Sequence, residues 1–294
     1  MTILNFGSLN VDHVYEVEHF VRPGETLSSR SYKQYSGGKG ANQSIALAYA
    51  GAKVFHAGKL GKDGEWLKAK LARCGVDVSL IEVVEGPSGH AIIQVNRAGE
   101  NAIVLHGGAN HAITPKDALR VLSHFKAGDY LLLQNEITAI PEIMQRAAAL
   151  GLKIVFNPAP MQPEVLKYPL KSVDTFILNE IEAAELTGEL DEDKIPGALC
   201  ALYPAATIVL TLGDRGARYY HGPERLHAPA HKVNVVDTTA AGDTFIGYYL
   251  AAVAGGKKPD AAMKLACKAA AICVTRPGAA DSIPKRSEVD AFSG

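Results

Sequence analysis

Cysteine is scarce in this sequence and does not occur in the spacings that mark a disulfide framework or a zinc site. The 294 residues contain four cysteines with no C-x-x-C pair among them: Cys74, Cys200, Cys267 and Cys273. Disulfide-stapled scaffolds and zinc sites need closely spaced or regularly repeated cysteines, so the spacing excludes both. We expect reduced, mostly buried thiols and a cytoplasmic location.

Long apolar runs and blocks of like charge are also absent. The stretch from Phe245 to Gly255 is too short and too rich in glycine and tyrosine to span a bilayer. The segment from Met1 to Ser8 lacks the basic start and long apolar core of a signal peptide. The formal net charge is -1, and the lysines and arginines are scattered. We therefore expect neither a membrane nor a nucleic acid as a partner.

The chain has the composition of a soluble globular protein, with 47% hydrophobic and 21% charged residues. Short β-rich runs alternate with helical patterns along most of it. The predicted strands are Ile3–Phe6, Val54–Ala57, Tyr130–Gln134, Lys153–Asn157, Phe176–Leu178 and Thr207–Leu212. The helices predicted between them are Ala41–Tyr49, Gly64–Cys74, Pro115–His124, Ile140–Leu150 and Ile181–Leu186. The alternation predicts a single α/β domain, 1–294, with a doubly wound, mostly parallel sheet flanked by helices.

Two segments break this alternation. Residues 12–35 and 88–107 each contain a pair of predicted strands around a turn, with no helix between them. We expect these strands to form a small β-sheet that projects from the main domain as a lid. An apolar outer face on such a lid would favour a homodimer. The alternative is an ordinary edge extension of the main sheet.

Polar residues follow several of the predicted strands, and ligands of doubly wound sheets collect at the carboxyl ends of the strands. These candidates are Asn10, Asp12, Asn135, Glu136, Asn157, Asn179 and Thr211. Thr211 opens a turn whose Gly213 and Gly216 would let the backbone lie against a flat or phosphorylated ligand. Asn179 and Glu182 have the spacing of a helix-capping box. Alternatively, Glu182 anchors Mg²⁺-bound water near a phosphate.

The most informative segment runs from Asp237 to Asp243 and leads into an apolar helix pattern. Free N–H groups at a helix start attract anions, and Ala240, Ala241 and Gly242 are small enough for an anion to approach closely. A carboxylate beside such a cradle is explained if Asp243 takes a proton from a hydroxyl that attacks phosphorus. The alternative is that Asp243 only caps the helix.

A second glycine-rich segment, from Ser36 to Gln43, also precedes a helix pattern. It lacks the spacing of a P-loop, because Lys39 is followed by Gly40 and not by serine or threonine. Its glycines would bring the backbone close to a polar ligand, and Lys39 and Asn42 would hydrogen-bond hydroxyl groups. A plain glycine-rich turn is the alternative.

The order of these motifs over nearly the whole chain resembles that of the ribokinase family of carbohydrate kinases, also called PfkB. The matching segments are 7–12, 23–26, 37–43, 99–101, 108–110, 157–160, 179–182, 211–213 and 237–243. Members of this family use Mg²⁺ and transfer the γ-phosphoryl group of ATP to a sugar hydroxyl. The resemblance implies a sugar kinase that acts on small molecules, with ribose as the favoured acceptor and ribose 5-phosphate as the product.

The resemblance also implies a role for each matching position. Asp243 corresponds to the catalytic base and the amides of 240–242 to an anion hole. Sugar-contacting positions are Asn10, Asp12, Gly38, Lys39, Asn42 and Glu136, with Ala91, Ile93 and Leu105 on the apolar side of the lid. Nucleotide-contacting positions are Asn179, Thr211 and Gly213, with Glu182 as the metal and phosphate anchor. Family members also bind K⁺, here at Asp237, Thr239, Cys273, Arg276, Gly278 and Ser282.

Two positions leave the identity of the sugar open. Asn135 stands beside Glu136 where the family has an apolar residue, and Gln94 lies in the lid. Deoxyribose, another pentose, a hexose or a nucleoside would fit every motif above. A non-catalytic sugar-binding regulator is a further alternative, which the intact pair of Gly242 and Asp243 disfavours. A dinucleotide oxidoreductase is excluded because no G-x-G-x-x-G follows the first strand.

Overall fold

Strand and helix alternate along the chain in the computed structural model, which describes residues 1–293. Gly294, the last residue of the predicted domain, lies outside the described residues. The strands are β1 (Ile3–Phe6), β2 (Asn10–Glu16), β3 (Ser31–Gly37), β4 (Val54–Gly61), β5 (Asp77–Val84), β6 (Gly89–Val95), β7 (Asn101–His106), β8 (Tyr130–Gln134), β9 (Lys153–Asn157), β10 (Thr175–Asn179), β11 (Thr207–Thr211), β12 (Ala217–His221) and β13 (Glu224–Ala228). The α-helices are α1 (Lys39–Tyr49), α2 (Glu65–Arg73), α3 (Pro115–Leu122), α4 (Ile140–Ala149), α5 (Glu180–Thr187), α6 (Ile195–Leu202), α7 (Ala241–Ala254), α8 (Pro259–Cys273) and α9 (Arg286–Ala291).

The main sheet has the strand order β13-β12-β11-β10-β9-β8-β1-β4-β5. Its neighbouring strands are parallel except at one edge, where β11, β12 and β13 pair antiparallel. Successive residues of a strand point to opposite faces, so Ile3 packs into one hydrophobic core and Leu4 into the other. Helices α1, α2, α7 and α8 cover the first face, and α3 to α6 cover the second. The doubly wound, mostly parallel sheet is therefore confirmed.

Each predicted strand and helix is present, with ends that shift by a few residues; the predicted Val54–Ala57, for example, continues to Gly61. Edge strand β5 and the hairpin β12–β13 were not predicted. Exposed and half-buried positions make up most of these strands, so they lack the continuous apolar runs that mark strands buried on both faces.

The lid is a separate sheet with the strand order β3-β2-β6-β7. This confirms a small second sheet and rules out an edge extension of the main one. Its strands reach slightly beyond the predicted ranges: β2 begins at Asn10 and β3 ends at Gly37. The reason is that Asn10 pairs with Gly37 on one side and with Gly89 on the other. The lid therefore extends down to the carboxyl end of β1.

Parallel strands β1, β8, β9, β10 and β11 end along one edge of the main sheet, and helices α1 and α5 begin there. Hydrogen bonds between α1 and Asp243 bring the start of α7 to the same edge. Among residues 1–293, every helix is too short or too polar to cross a membrane.

Candidate active site

A cavity of about 240 Å³ opens at this edge of the main sheet. The ends of β9, β10 and β11 and the starts of α1, α5 and α7 supply its walls. Its polar lining gathers residues that the sequence analysis had taken from separate motifs: Lys39, Asn157, Asn179, Glu182, Thr211, Gly242 and Asp243, with Ala240 beside them. Positions 200 residues apart in the chain thus face one space.

The start of α7 has the form of an anion cradle. Its first residue is preceded by Ala240, which adopts a left-handed conformation (φ 61°) and supplies no side-chain cap. The N–H of Thr244 donates to the Ala240 carbonyl at 2.8 Å, and the N–H of Ala241 donates to Thr238 at 3.2 Å. Within residues 1–293 the N–H of Gly242 has no acceptor, and a Cβ at this position would stand in open space. An anion in the cavity therefore has an unhindered path to this amide.

Asp243 does not cap its own helix. Its buried carboxylate accepts hydrogen bonds from α1, with Asn42 Nδ2 at 3.0 Å from Oδ2 and Gln43 Nε2 at 2.8 Å from Oδ1. The alternative that Asp243 is only a helix cap is therefore wrong. Two amide donors hold the carboxylate at the cavity wall beside the cradle.

Lys39 is the cation among the acids of the site. Burial alone would lower the pKa of its ammonium group, but the carboxylates of Asp243, Glu136 and Glu182 act in the opposite direction and raise it. Lys39 therefore stays charged and offsets part of the negative charge that these acids bring to the cavity.

Glu136 and Asp12 are carboxylates withdrawn from water. Glu136 accepts a hydrogen bond from the Ser8 hydroxyl and one of 2.9 Å from the Lys39 N–H. Burial nevertheless raises the pKa of Glu136. Burial, together with the charge of Glu136, also raises the pKa of Asp12 to about 7. Such carboxyl groups are poised to gain from hydrogen bonds with hydroxyl groups that replace the missing water.

Two glycines admit the side chains at the base of the lid. An ideal Cβ at Gly37 would lie 2.0 Å from Oδ2 of Asp12, so only glycine leaves room for that carboxylate. Gly38, the residue before α1, has φ 89°, and a Cβ there would lie 3.0 Å from the backbone nitrogen of Asn10. The side chain of Asn10 is itself held by Asn110, whose Nδ2 donates to Asn10 Oδ1 at 2.7 Å.

The predicted lid residues share one face of the lid sheet. Ala91 pairs with Asp12 on one side and with Leu105 on the other, so all three side chains point the same way. Ile93 lies two residues further along the same face. Ala91 is buried, whereas Leu105 is 63% exposed.

The two residues that left the identity of the sugar open, Asn135 and Gln94, form hydrogen bonds away from Asp12. Asn135 donates from Nδ2 to the Pro160 carbonyl at 2.8 Å and accepts from the Tyr168 hydroxyl at 2.9 Å. Gln94 accepts a bond of 3.0 Å from the Val21 N–H and pairs with Tyr15, on the lid face opposite to Asp12. Neither residue directs its amide toward the group of predicted sugar contacts.

The start of α5 is capped by its own side chains. Asn179 Oδ1 accepts from the Glu182 N–H at 2.9 Å, and Glu182 Oε2 accepts from the Asn179 N–H at 3.0 Å. The capping box is therefore present, while both residues also line the cavity. Burial raises the pKa of Glu182.

Of the predicted nucleotide turn, Thr211 lines the cavity and the two glycines lie beyond that lining. Gly216 has φ 89°, and a Cβ there would lie 2.1 Å from the Ala228 carbonyl oxygen. Packing against the end of β13 therefore explains this glycine. Gly213 (φ 58°) has open space around its Cβ position.

The predicted cation residues meet beside the start of α7. Asp237 accepts hydrogen bonds of 2.9 Å from the N–H groups of Thr239 and Gly278. Burial alone would raise the pKa of Asp237, but these bonds and that of the Thr239 hydroxyl lower it. Cys273 Sγ lies 3.1 Å from the Ser282 hydroxyl, and burial raises the pKa of this thiol. The Arg276 side chain instead pairs with Glu288 at 2.6 Å, which leaves only its backbone for a cation.

The sequence analysis did not assign roles to Gln43, Gln134 or Thr238. Gln43 was quoted as part of a motif only, and its contact with Asp243 spans 200 positions. Gln134 was predicted as the end of a buried strand. An amide at the end of an apolar strand was the available signal, because a buried polar side chain needs a partner.

Comparison with known proteins places these features in a family. The model of the pfkB family carbohydrate kinases matches residues 2–286. The chain is 38% identical to ribokinase of Haemophilus influenzae over 99% of its length and 98% of the relative's. It is 39% identical to ribokinase of Bacillus subtilis over 97% of its length and 96% of the relative's.

Among solved structures, the chain is similar to Arabidopsis thaliana ribokinase complexed with ribose and ATP, with a TM-score of 0.88 and 29% identity over 99% of both chains. The family model, the relatives and the similar structure all indicate a kinase, in agreement with the anion cradle and the carboxylate in the cavity. This chain belongs to the pfkB family of carbohydrate kinases and is a sugar phosphotransferase.

Proposed function

We propose that this protein is an ATP-dependent ribose kinase that transfers the γ-phosphoryl group to the 5-hydroxyl of ribose. Support comes from the ribokinases at 38% and 39% identity and from the similar structure described with ribose and ATP. The observation that carries the proposal is the position of Asp243. Its carboxylate is held by Asn42 and Gln43 beside the free N–H of Gly242, in one cavity.

In this proposal Asp243 accepts the proton of the sugar hydroxyl as that oxygen attacks phosphorus. The amides at the start of α7 face the transferred group and stabilise the negative charge on its oxygens. Lys39, which the surrounding acids keep charged, adds a positive charge to the same space. Positioning and electrostatics together supply most of the rate enhancement in such a transfer.

The sugar is assigned to the space between the lid and α1. Asn10, Asp12, Lys39, Asn42 and Glu136 would contact its hydroxyl groups, and Ala91, Ile93 and Leu105 would cover its apolar side. One observation supports this: within residues 1–293, the buried Oδ1 of Asn42 has no hydrogen-bond partner. An unpaired buried acceptor costs free energy that a sugar hydroxyl would recover.

The nucleotide is assigned to the opposite end of the cavity. Asn179, Thr211 and the turn at Gly213 and Gly216 would contact it, with its phosphates directed toward Gly242. Residues Asn179, Thr211 and Gly242 already line one continuous space. This arrangement points the phosphates at the start of α7, where the free N–H lies.

Glu182 fits an outer-shell role toward Mg²⁺. It is a half-buried carboxylate in a cavity where Asp243 adds to the negative charge. No three His, Cys, Asp or Glu side chains of residues 1–293 converge into a metal-binding cluster. A Mg²⁺ ion that keeps its waters and binds phosphate oxygens suits a site of this kind. Such an ion would offset charge on the phosphates.

The loops around Asp237 fit a monovalent cation such as K⁺. The Asp237 carboxylate has no lysine or arginine partner in the part of the chain that the structure describes. Oxygen atoms of Thr239 and Ser282 lie close to Cys273. The proposed ligands are Asp237, Thr239, Cys273, Arg276, Gly278 and Ser282, mostly through backbone carbonyls. A cation here would add positive charge beside the anion cradle.

We further propose a cytoplasmic homodimer that forms through the lid. Edge strand β7 exposes Ile103, Val104 and Leu105, and an apolar edge strand is a ready surface for pairing with another chain. The cysteines are free thiols, as expected in a reducing compartment. Sedimentation of the protein, with Val104→Lys as the disrupting variant, tests the dimer.

The function is tested by measuring ATP consumption with Mg²⁺ and K⁺ against ribose, 2-deoxyribose, fructose, other sugars and nucleosides. We expect strong preference for ribose and a lower rate when Li⁺ replaces K⁺. Turnover with another acceptor alone would keep the family chemistry and reject ribose. No turnover with any acceptor would favour a regulatory protein.

A further inference from the structure

Gln43 makes more contacts with the polar groups of the site than its motif suggested. It is fully buried in α1. Its Nε2 donates to Asp243 Oδ1 at 2.8 Å and to Asn157 Oδ1 at 3.3 Å, while its Oε1 accepts from Gln134 Nε2 at 2.6 Å. All hydrogens of this amide are therefore engaged, and one of them holds Asp243.

The orientation of this amide matters because its two ends have opposite effects on Asp243. An N–H group directed at the carboxylate attracts it, whereas a carbonyl oxygen in the same place would repel it. The orientation must therefore be fixed by neighbours whose own roles are unambiguous. Backbone carbonyls are such neighbours, because they only accept hydrogen bonds.

The first fixed point is the carbonyl of Gly40. Asn5 Nδ2 donates to it at 2.8 Å, so Asn5 Oδ1 must face the other way. Gln134 Nε2 donates to that oxygen at 3.0 Å and uses its second hydrogen toward Gln43 Oε1. The Nε2 group of Gln43 is thereby left facing Asp243.

The second fixed point is the carbonyl of Ile177, and it is independent of the first. Asn157 Nδ2 donates to this carbonyl at 3.0 Å, so Asn157 Oδ1 requires a donor from the opposite side. Gln43 Nε2 is that donor. Two backbone carbonyls on different elements thus impose the same orientation on the Gln43 amide.

We infer that Gln43 is a positioning residue that holds the carboxylate of Asp243 in its reactive orientation, with Gln134 and Asn157 fixing its amide. The inference rests on the proposed function of Asp243 as the base. It adds Gln43 and Gln134, which lie outside the lining of the cavity, and gives a role to Asn157, which is part of that lining. A base held this way keeps its geometry without reorganisation during each turnover.

The test compares Gln43→Met with Gln43→Glu in the full chain, by steady-state kinetics with ATP and the preferred sugar. Methionine keeps the volume and loses the donor, so kcat should fall by about tenfold or more while KM for the sugar changes by less than about twofold. Glutamate keeps the shape and puts a second carboxyl group against Asp243. Because adjacent carboxylates compete for a proton, the acid limb of the kcat–pH profile should move upward by about one pH unit or more.

Other ionisable groups near Asp243 could also shape the kcat–pH profile. Both variants leave them unchanged: Lys39 in α1, Glu136 after β8, Glu182 in α5 and Cys273 in α8. The matched control is Ser44→Ala. Ser44 accepts a hydrogen bond from Asn5 and bonds to His56 in the same buried network, but it has no hydrogen bond to Gln43, Gln134 or Asn157, and Asn5 keeps its bond to the Gly40 carbonyl without it. We expect a loss of stability with kcat within about twofold of wild type.

The outcomes separate this inference from the proposed function. A wild-type enzyme that turns over sugar, with both Gln43 variants at wild-type kcat and an unmoved acid limb, overturns the positioning role alone. A wild-type protein without turnover for any acceptor overturns the proposed function and this inference with it. Ser44→Ala losing as much kcat as Gln43→Met would also overturn it, because general loosening of the network would then suffice.

Discussion

The starts of α5 and α7 face the same cavity but differ in how their free N–H groups are capped. At α5, Asn179 and Glu182 form a capping box that pairs the first free amides with side chains of the same helix. At α7, Ala240 offers no side-chain cap and adopts a left-handed conformation with φ 61°. The acid of its first turn, Asp243, bonds to α1 instead. One helix start is closed by its own residues, and the other is left open to a ligand.

The difference shows that an acid in the first turn of a helix acquires its role from contacts outside the helix. Both Glu182 and Asp243 stand where acidic residues favour a helix by the macrodipole alone. Glu182 accepts its hydrogen bond from Asn179, three residues earlier. Asp243 accepts hydrogen bonds from α1, about 200 positions earlier in the chain. The open start is consequently the one that suits phosphoryl transfer.

The most severe way to break the comparison is Asp243→Asn. A carboxamide cannot accept the proton of the sugar hydroxyl, so kcat should fall by about 100-fold or more while the sugar still binds. Steady-state kinetics and calorimetric titration with the sugar measure the two effects. The control is Asp260→Asn, at an exposed first-turn acid of α8 that pairs with Lys264 outside the cavity. Retention of more than about a tenth of the rate by Asp243→Asn would refute the base role.

The next largest effect is expected from Gly242→Ala. The added methyl group would stand in open space where an anion should approach, so kcat should fall by about tenfold or more. The same change should raise the free energy of unfolding by about 0.5 to 1 kcal/mol, because alanine is the better helix former. Gly197→Ala in α6, also without neighbours around its Cβ, is the control that should gain stability without losing activity. An undiminished kcat in Gly242→Ala would show that no anion binds at this amide.

The sequence predicted much of the fold because buried parallel strands leave continuous apolar runs. Strand Tyr130–Gln134 was placed with its observed bounds, whereas edge strand β5 was missed because only two of its eight residues are fully buried. The capping box at Asn179 and Glu182 is local and was readable from spacing. The donor role of Gln43 was not, because it depends on which long-range partners surround the amide.

A smaller effect on stability is expected from the caps themselves. Asn179→Ala removes a side-chain acceptor from the start of α5 and should lower the free energy of unfolding by about 1 kcal/mol. Ala240→Gly should change it by less than about 0.5 kcal/mol, because relief of the left-handed strain is offset by the greater freedom of glycine in the unfolded chain. Urea unfolding measures both variants. Thr114→Ala, which breaks the capping box of α3 away from the cavity, is the matched control. Equal losses for Asn179→Ala and Ala240→Gly would contradict the contrast between a closed and an open start.

Two acids near these helix starts, Glu182 in α5 and Asp237 in the loop before α7, should also respond differently to pH. Hydrogen bonds hold the pKa of Asp237 below its usual value of 3.8, so its stabilising contribution is present above pH 3.8 and is lost as the pH falls through the lowered value. Burial raises the pKa of Glu182 above 4.5, so the folded protein takes up this proton before the unfolded chain does. The ionised Glu182 therefore costs stability at neutral pH, and that cost disappears as the pH falls through the raised value.

The opposite pKa shifts of Asp237 and Glu182 predict opposite effects of two conservative substitutions on the free energy of unfolding. Asp237→Asn places an N–H group against that of Gly278 and should lower the free energy of unfolding at pH 7, and this deficit should shrink only as the pH falls below the ordinary aspartate value of 3.8. Glu182→Gln keeps an acceptor for the Asn179 N–H and removes the half-buried charge. It should raise stability at pH 7, and the gain should shrink toward about pH 4 as the wild-type carboxyl group protonates. Urea unfolding of wild type and both variants at the two pH values measures this. A deficit in Asp237→Asn that vanishes at the lower pH would mean that Asp237 is not held ionised beside α7.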